Sequence, residues 1–330
     1  MKKSLKIILT LVLVLASVFG LSKIRSAHAD GSTGKIQITS KTITPAKSPV
    51  DQYTNIKVDL TFNVPNGVKS GEQAVIALPQ NLKFIGDQAF GVKSPDGKLV
   101  AKAVINAASK TITLTYTDYV NNNSNISGSL SFGVWVEPAT ASPSKVPITL
   151  NVDNNPVPVG EVDFVVDPGN TEKSLDKVSW GTKTLADGSI TRQYEVRVNA
   201  AKEPLTEVVV TDQLQTEGMS YVEDSFVIKK GNWVVNSSYK LDLKNGQIVN
   251  MPVEFGADKK SFKISLGNVA QGEGYSIIYK VKIPYTPANG EKFLNNVTLK
   301  AQKVVETKSN PFVYQTATGE AEGYTFSINL

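Results

Sequence analysis

From Lys35 onward the apolar residues fall at every second position in short runs, and turn residues interrupt the runs about every 8 to 12 residues. The first runs are IQITSKTITP, NIKVDLTFNVP at 55 to 65 and QAVIALP at 73 to 79. Valine, isoleucine, threonine and aromatic residues dominate them, with Pro-Asn-Gly at 65 to 67, Ser-Gly at 70 to 71 and Pro-Asp-Gly at 95 to 97 as punctuation. Further strands are predicted at 100 to 105, 146 to 152 and 161 to 166. The stretch 110 to 136, KTITLTYTDYVNNNSNISGSLSFGVWV, reads as two strands joined by a polar turn: Ile112, Leu114 and Tyr116 alternate before the asparagines, and Leu130, Phe132, Val134 and Val136 after them. No window carries the period of a long amphipathic helix.

The run of strands stops at Asp167-Pro-Gly-Asn-Thr-Glu-Lys173, and a second set follows: KVSWGTK, SITRQYEVRVN, EVVVTDQL, SFVIKK, SFKISLG, YSIIYKVKIP and FLNNVTLKA. Asp187-Gly188 and Asn245-Gly246 read as hairpin turns. After Ala301 the tail is too polar and glycine-rich for core until its last alternating segment, GYTFSINL at 323 to 330. The pattern predicts an all-β chain of two tandem sandwiches, at 30–167 and 175–308, with a linker at 168–174 and a separate terminal segment at 309–330. A length of 330 residues agrees, since one sandwich seldom holds so many.

The first residues change the charge argument. A basic start, the apolar run from Ile7 to Leu21 and Ala27-His28-Ala29 form a secretory signal peptide over 1–29. Five of the 35 basic residues leave with it, so 30 remain against 30 acidic ones, and the mature chain is formally neutral. With Arg192 and Arg197 its only arginines, it has no footprint for nucleic acid. The single histidine, His28, lies in the signal, and cysteine is absent. His-dependent triads, cysteine nucleophiles and His/Cys zinc sites are excluded, and neither a metal nor a cofactor is expected. Carboxylate chemistry stays open, although no acid pair stands out.

Several motifs together resemble one family. TYTDYV at 115 to 120, the opening ITSKTITPAKSPVDQYTNIKVDLTF, NISGSLSF, EVVVTDQL and EKFLNNVTL occur in the order found in the N1–N2 ligand-binding region of Gram-positive, MSCRAMM-type collagen-binding adhesins. The resemblance implies two immunoglobulin-like sandwiches closed by a C-terminal latch strand that pairs with an exposed strand edge. It makes Tyr116, Asp118 and Tyr119 the receiving trench and Tyr324, Phe326 and Ile328 the latch's packing residues; the plainer reading is a strand end and an edge strand. It places a ligand trough at Trp180 and Tyr194, where Glu195 replaces an expected aromatic; both aromatics could equally be core or scattered surface residues. It also implies an intramolecular isopeptide bond from Lys177 to Asn295 with Asp212 shuttling protons, and Lys183 as the alternative donor. Alternation puts Phe293, Asn295, Val297 and Leu299 on one face, so Asn295 rather than Asn296 should point inward.

The expected function is that of a non-enzymatic, monomeric adhesin, secreted or held at the surface or wall of a Gram-positive bacterium. Its partner would be an extracellular-matrix protein, with collagen favoured, and nothing spans the membrane once the signal is removed. A pilin-like or wall shaft module and a secreted carbohydrate-active enzyme are the alternatives. No LPxTG-type sorting motif is present, so wall attachment follows from the resemblance alone.

Overall fold

The computed structural model describes residues 34–141, 143–167, 172–237 and 240–325. The expected signal peptide, most of the expected linker, and Phe326 and Ile328 lie outside them. Among the described residues the regular structure is almost all β-strand, and a single turn of helix, Tyr119–Asn122, sits where the polar turn was expected.

Two hydrophobic cores organise the strands. Around the first, hydrogen bonding runs through one continuous sheet in the order Gln37–Pro45, Ile56–Val64, Asn123–Val136, Thr318–Thr325, Gln88–Lys93, Leu99–Asn106, Thr111–Tyr116, Gln73–Ala77, Ser144–Val152 and Asn155–Phe164; Leu82–Lys83 pairs on the side with Asn123–Val136. Ile56–Val64 shows how alternation becomes layering, because Ile56, Val58, Leu60, Phe62 and Val64 are buried and the residues between them face outward. Pro156 and Pro158 fall in an outermost strand, where the missing N–H leaves no gap in a ladder. The two strands of the 110 to 136 stretch do not form a hairpin. Three other strands separate them, including one from the far end of the chain.

The second core lies between two five-stranded antiparallel sheets. One contains Leu175–Thr184, Ile190–Val198, Gly274–Ile283, Ser220–Val235 and Leu241–Ile248; the other contains Glu254–Phe255, Ser261–Val269, Leu205–Leu214, Asn295–Ala301 and Val304–Ser309. Asp187-Gly188 does turn a hairpin, but Asn245-Gly246 lies within a strand, as an irregularity opposite Gly231 with Asn245 at φ 54°. The left-handed conformation that such a pair supplies suits a bulge as well as a turn.

The tail also departs from expectation. Phe312 and Tyr314 are buried in the second core, and Phe312–Val313 pairs with Lys292–Phe293. Short alternation in FVY was hidden by polar neighbours on either side. Ala317 already belongs to the first core, so only Gln315 and Thr316 lie between the two, a reach of roughly 10 Å.

Candidate functional site

The terminal strand Thr318–Thr325 is inserted between two strands of the first sandwich. It pairs antiparallel with Asn123–Val136, Thr318 opposite Ser131 and Ala321 opposite Gly128, and parallel with Gln88–Lys93 through Gly319 and Glu320. In the order of paired strands it is the link between Asn123–Val136 and Gln88–Lys93. Its outward residues are Thr318, Glu320, Glu322 and Tyr324. Along the opposite face Ala317 and Ala321 are buried and alternate with Gly319 and Gly323.

The small residues match a tight slot. A Cβ at Gly128 would stand 2.3 Å from the carbonyl oxygen of Glu320 and 2.7 Å from Cβ of Ala321, and one at Gly319 would stand 2.8 Å from Cδ2 of Leu130. Side chains of the first sandwich grip the strand's backbone: Ala317 N–H donates to Oε1 of Gln88 at 2.8 Å, and Gly323 N–H donates to the hydroxyl of Tyr119 at 3.1 Å.

The expected trench and latch residues are therefore only partly brought together. Tyr119 touches the strand. Tyr116 is buried in the first core with its hydroxyl donating to the carbonyl of Lys35 at 2.7 Å, and Asp118 stands before the helical turn without a side-chain cap. Tyr324 is 74% exposed, because the strand's parity turns it to solvent while Ala321 faces the core. Gln88, Gly128 and Gly319 gave no sequence signal, since their roles depend on strands distant in the chain.

A second locus is sealed inside the other sandwich. Lys177 on Leu175–Thr184 and Asp212 on Leu205–Leu214 face each other across the two sheets, with Nζ 2.5 Å from Oδ2 and both side chains fully buried. The same carboxylate accepts from the hydroxyl of Tyr279 at 2.9 Å, and its other oxygen accepts from the hydroxyl of Tyr221 at 2.8 Å. Asn295 is fully buried, and its Nδ2 donates to the hydroxyl of Tyr279 at 3.1 Å. Asn296 is partly exposed, and Lys183 is exposed. Tyr194 and Tyr279 stack at 5.7 Å between ring centroids, and Nζ of Lys177 lies 5.3 Å from the centre of Tyr194.

Burial governs the electrostatics of this locus. Desolvation pulls the ammonium of Lys177 down to about 8, against the opposing pull of Asp212. Desolvation likewise raises the phenol of Tyr279 well above its usual value, with the Asp212 charge adding to the effect. Such an arrangement can deprotonate an amine, hold a carboxamide and move protons between them. Among the described residues, Oδ1 of Asn295 is buried without a hydrogen-bond partner, a cost that proteins seldom bear without a use. Tyr279 and Tyr221 escaped the sequence reading, because an inward tyrosine in a strand looks like ordinary core.

The expected trough residues point to opposite faces. Trp180 is 39% exposed and pairs with Gln193, whereas Tyr194 is fully buried opposite Ser179. Consecutive strand residues alternate sides, so Tyr194 cannot join Trp180 on the outer surface. Glu195 shares that surface but is nearly buried; its carboxylate accepts from Nε of Arg197 at 2.8 Å and from the hydroxyl of Ser276 at 2.5 Å. Among the described residues no group of three His, Cys, Asp or Glu side chains could hold a metal ion, and no helix is long and apolar enough to cross a membrane.

A family model described as a bacterial Ig domain matches residues 49–146, inside the first sandwich. Clumping factor B of Staphylococcus aureus is 32% identical over 133 residues, which cover 37% of this chain and 15% of that protein, so the match spans a small part of its length. Among solved structures, the collagen adhesin of S. aureus superposes with a TM-score of 0.62 at 17% identity, covering 87% of this chain and 95% of that one. The collagen-binding domain of the Erysipelothrix rhusiopathiae surface protein RspB gives 0.58 at 12% identity, covering 88% and 97%.

Proposed function

For a chain with the fold of MSCRAMM-type adhesins, we propose a non-enzymatic role: holding an extended extracellular-matrix protein between its two sandwiches at the surface of a Gram-positive cell, with the terminal strand as the latch. The observation that carries this reading is the insertion of Thr318–Thr325: the chain leaves the second core after Tyr314 and enters the first sandwich as an internal strand. A shaft module would have no use for such a crossing. Collagen is the favoured ligand because both solved neighbours above are named for it. Trp180 offers the exposed aromatic contact on the second sandwich, and pairing with Arg197 and Ser276 keeps Glu195 from presenting a free charge to the ligand.

The buried locus supports a second part of the proposal, a covalent bond from Nζ of Lys177 to Cγ of Asn295 with release of ammonia, Asp212 taking up protons. It would tie the two sheets of the second sandwich together, while the latch stays reversible. Such a chain grips without turnover.

Binding of the mature chain to immobilised collagen, with fibrinogen and other matrix proteins alongside, tests the reading. Deleting 318–330 removes backbone hydrogen bonds worth about 0.5–1.5 kcal/mol each and should accelerate dissociation while leaving association little changed. An unaltered off-rate would reduce the terminal strand to structural completion of the first sheet. Binding to none of the matrix proteins would overturn the adhesin reading itself.

A further inference from the structure

We propose that Tyr279 is a catalytic residue of the Lys177–Asn295 condensation, relaying the proton that the departing amide nitrogen requires. This rests on the bond proposed above. The hydroxyl of Tyr279 is the group that touches both sides of the chemistry, 2.9 Å from Oδ2 of Asp212 and 3.1 Å from Nδ2 of Asn295. Its single proton is committed to the carboxylate while Asp212 is ionised, so the contact with Asn295 must use the NH₂ as donor, which fixes the orientation of that amide. Tyr221 provides a built-in contrast. It donates to Oδ1 of the same carboxylate at 2.8 Å and has no hydrogen bond to Asn295.

The proton inventory shows why a relay is needed. Nζ of Lys177 passes a proton to Oδ2 of Asp212, 2.5 Å away, and its freed lone pair attacks Cγ of Asn295 to form the new C–N bond. Breaking the Cγ–Nδ2 bond requires Nδ2 to gain a proton. Protonated Asp212 hands its proton to the phenolic oxygen as the phenol gives its own to Nδ2, and ammonia leaves. The carboxylate then accepts the second proton shed by Nζ. The products are a secondary amide, ammonia, neutral Tyr279 and protonated Asp212, so atoms and charge balance. Burial that keeps the phenol far above its usual pKa suits this task, since the hydroxyl passes protons without persisting as phenolate.

The test follows ammonia loss by intact mass in the mature full chain, from freshly folded protein onward. Positioned proton transfer contributes about a hundredfold or more, so Tyr279→Phe should slow the loss by that factor, while Tyr221→Phe stays within about tenfold of the unaltered chain. Equal rates for Tyr279→Phe and the unaltered chain, or equal slowing by both variants, would overturn the relay and leave the bond standing. No ammonia loss from the unaltered chain would overturn both. Should circular dichroism show Tyr279→Phe unfolded, fluorotyrosine at 279 keeps ring and hydroxyl while making the phenol more acidic; the relay requires its rate to differ from that of tyrosine, and an identical rate rejects it.

Discussion

The two sandwiches are fastened in opposite ways. In the first, the terminal strand enters on alanine and glycine: Ala317, Gly319, Ala321 and Gly323 bury little apolar surface, and the hold comes from backbone hydrogen bonds with Gln88 and Tyr119 as clasps. In the second, Lys177, Asp212 and Asn295 lie under a layer of tyrosines, out of reach of water. A strand held by backbone pairing and small side chains can leave and return, whereas a desolvated amine on a carboxylate that shares a tyrosine with a buried carboxamide suits a step without return. Under the proposed function, reversible closure would belong to one core and permanent reinforcement to the other, so one could open without loosening the other.

The largest break in this comparison comes from the buried pair. Lys177→Ala leaves the Asp212 carboxylate without its cation and should cost about 3–5 kcal/mol in denaturant unfolding of the second sandwich, besides abolishing ammonia loss. The pH dependence of the uncondensed lysine comes next, isolated by Asn295→Ala. The Lys177 ammonium ionises at about 8 when folded against 10.5 when free, so between these values the unfolded chain binds more protons. Stability of that variant should therefore rise with pH across the window, by up to about 3 kcal/mol, the opposite of the trend for a lysine stabilised by its partner. A flat profile measured by urea unfolding would mean that the ammonium is not desolvated.

The smaller effects fall on the first sandwich. Gly128→Val places two methyl groups where the terminal strand lies and should weaken its docking by about 1–3 kcal/mol, seen as faster proteolysis within 318–325 with the second sandwich's unfolding midpoint unchanged. Tyr324→Ala, at an exposed outward position, should change docking by no more than about 0.5 kcal/mol. If Tyr324→Ala instead proved the more damaging of the two, the small-residue slot would not be what holds the strand.

Local pattern determined a good deal. Alternation in NIKVDLTFNVP and its counterparts specified an all-β chain, because a strand that covers a core on one face must repeat every two residues. The same parity turned Asn295 inward and Asn296 outward. It also contradicts a trough containing both Trp180 and Tyr194, since Trp180 pairs with Gln193 and the next residue faces the core. What only the tertiary structure decided is which strands meet. Gly128 and Ala321, 193 positions apart in sequence, are neighbours, and Tyr279 reaches Asp212 and Asn295 from a different strand of the opposite sheet. Period-two patterning says which face a residue takes but carries no information about its partner across the sheet. Glycine at 128 and tyrosine at 279 therefore acquire their roles only when distant strands are brought side by side.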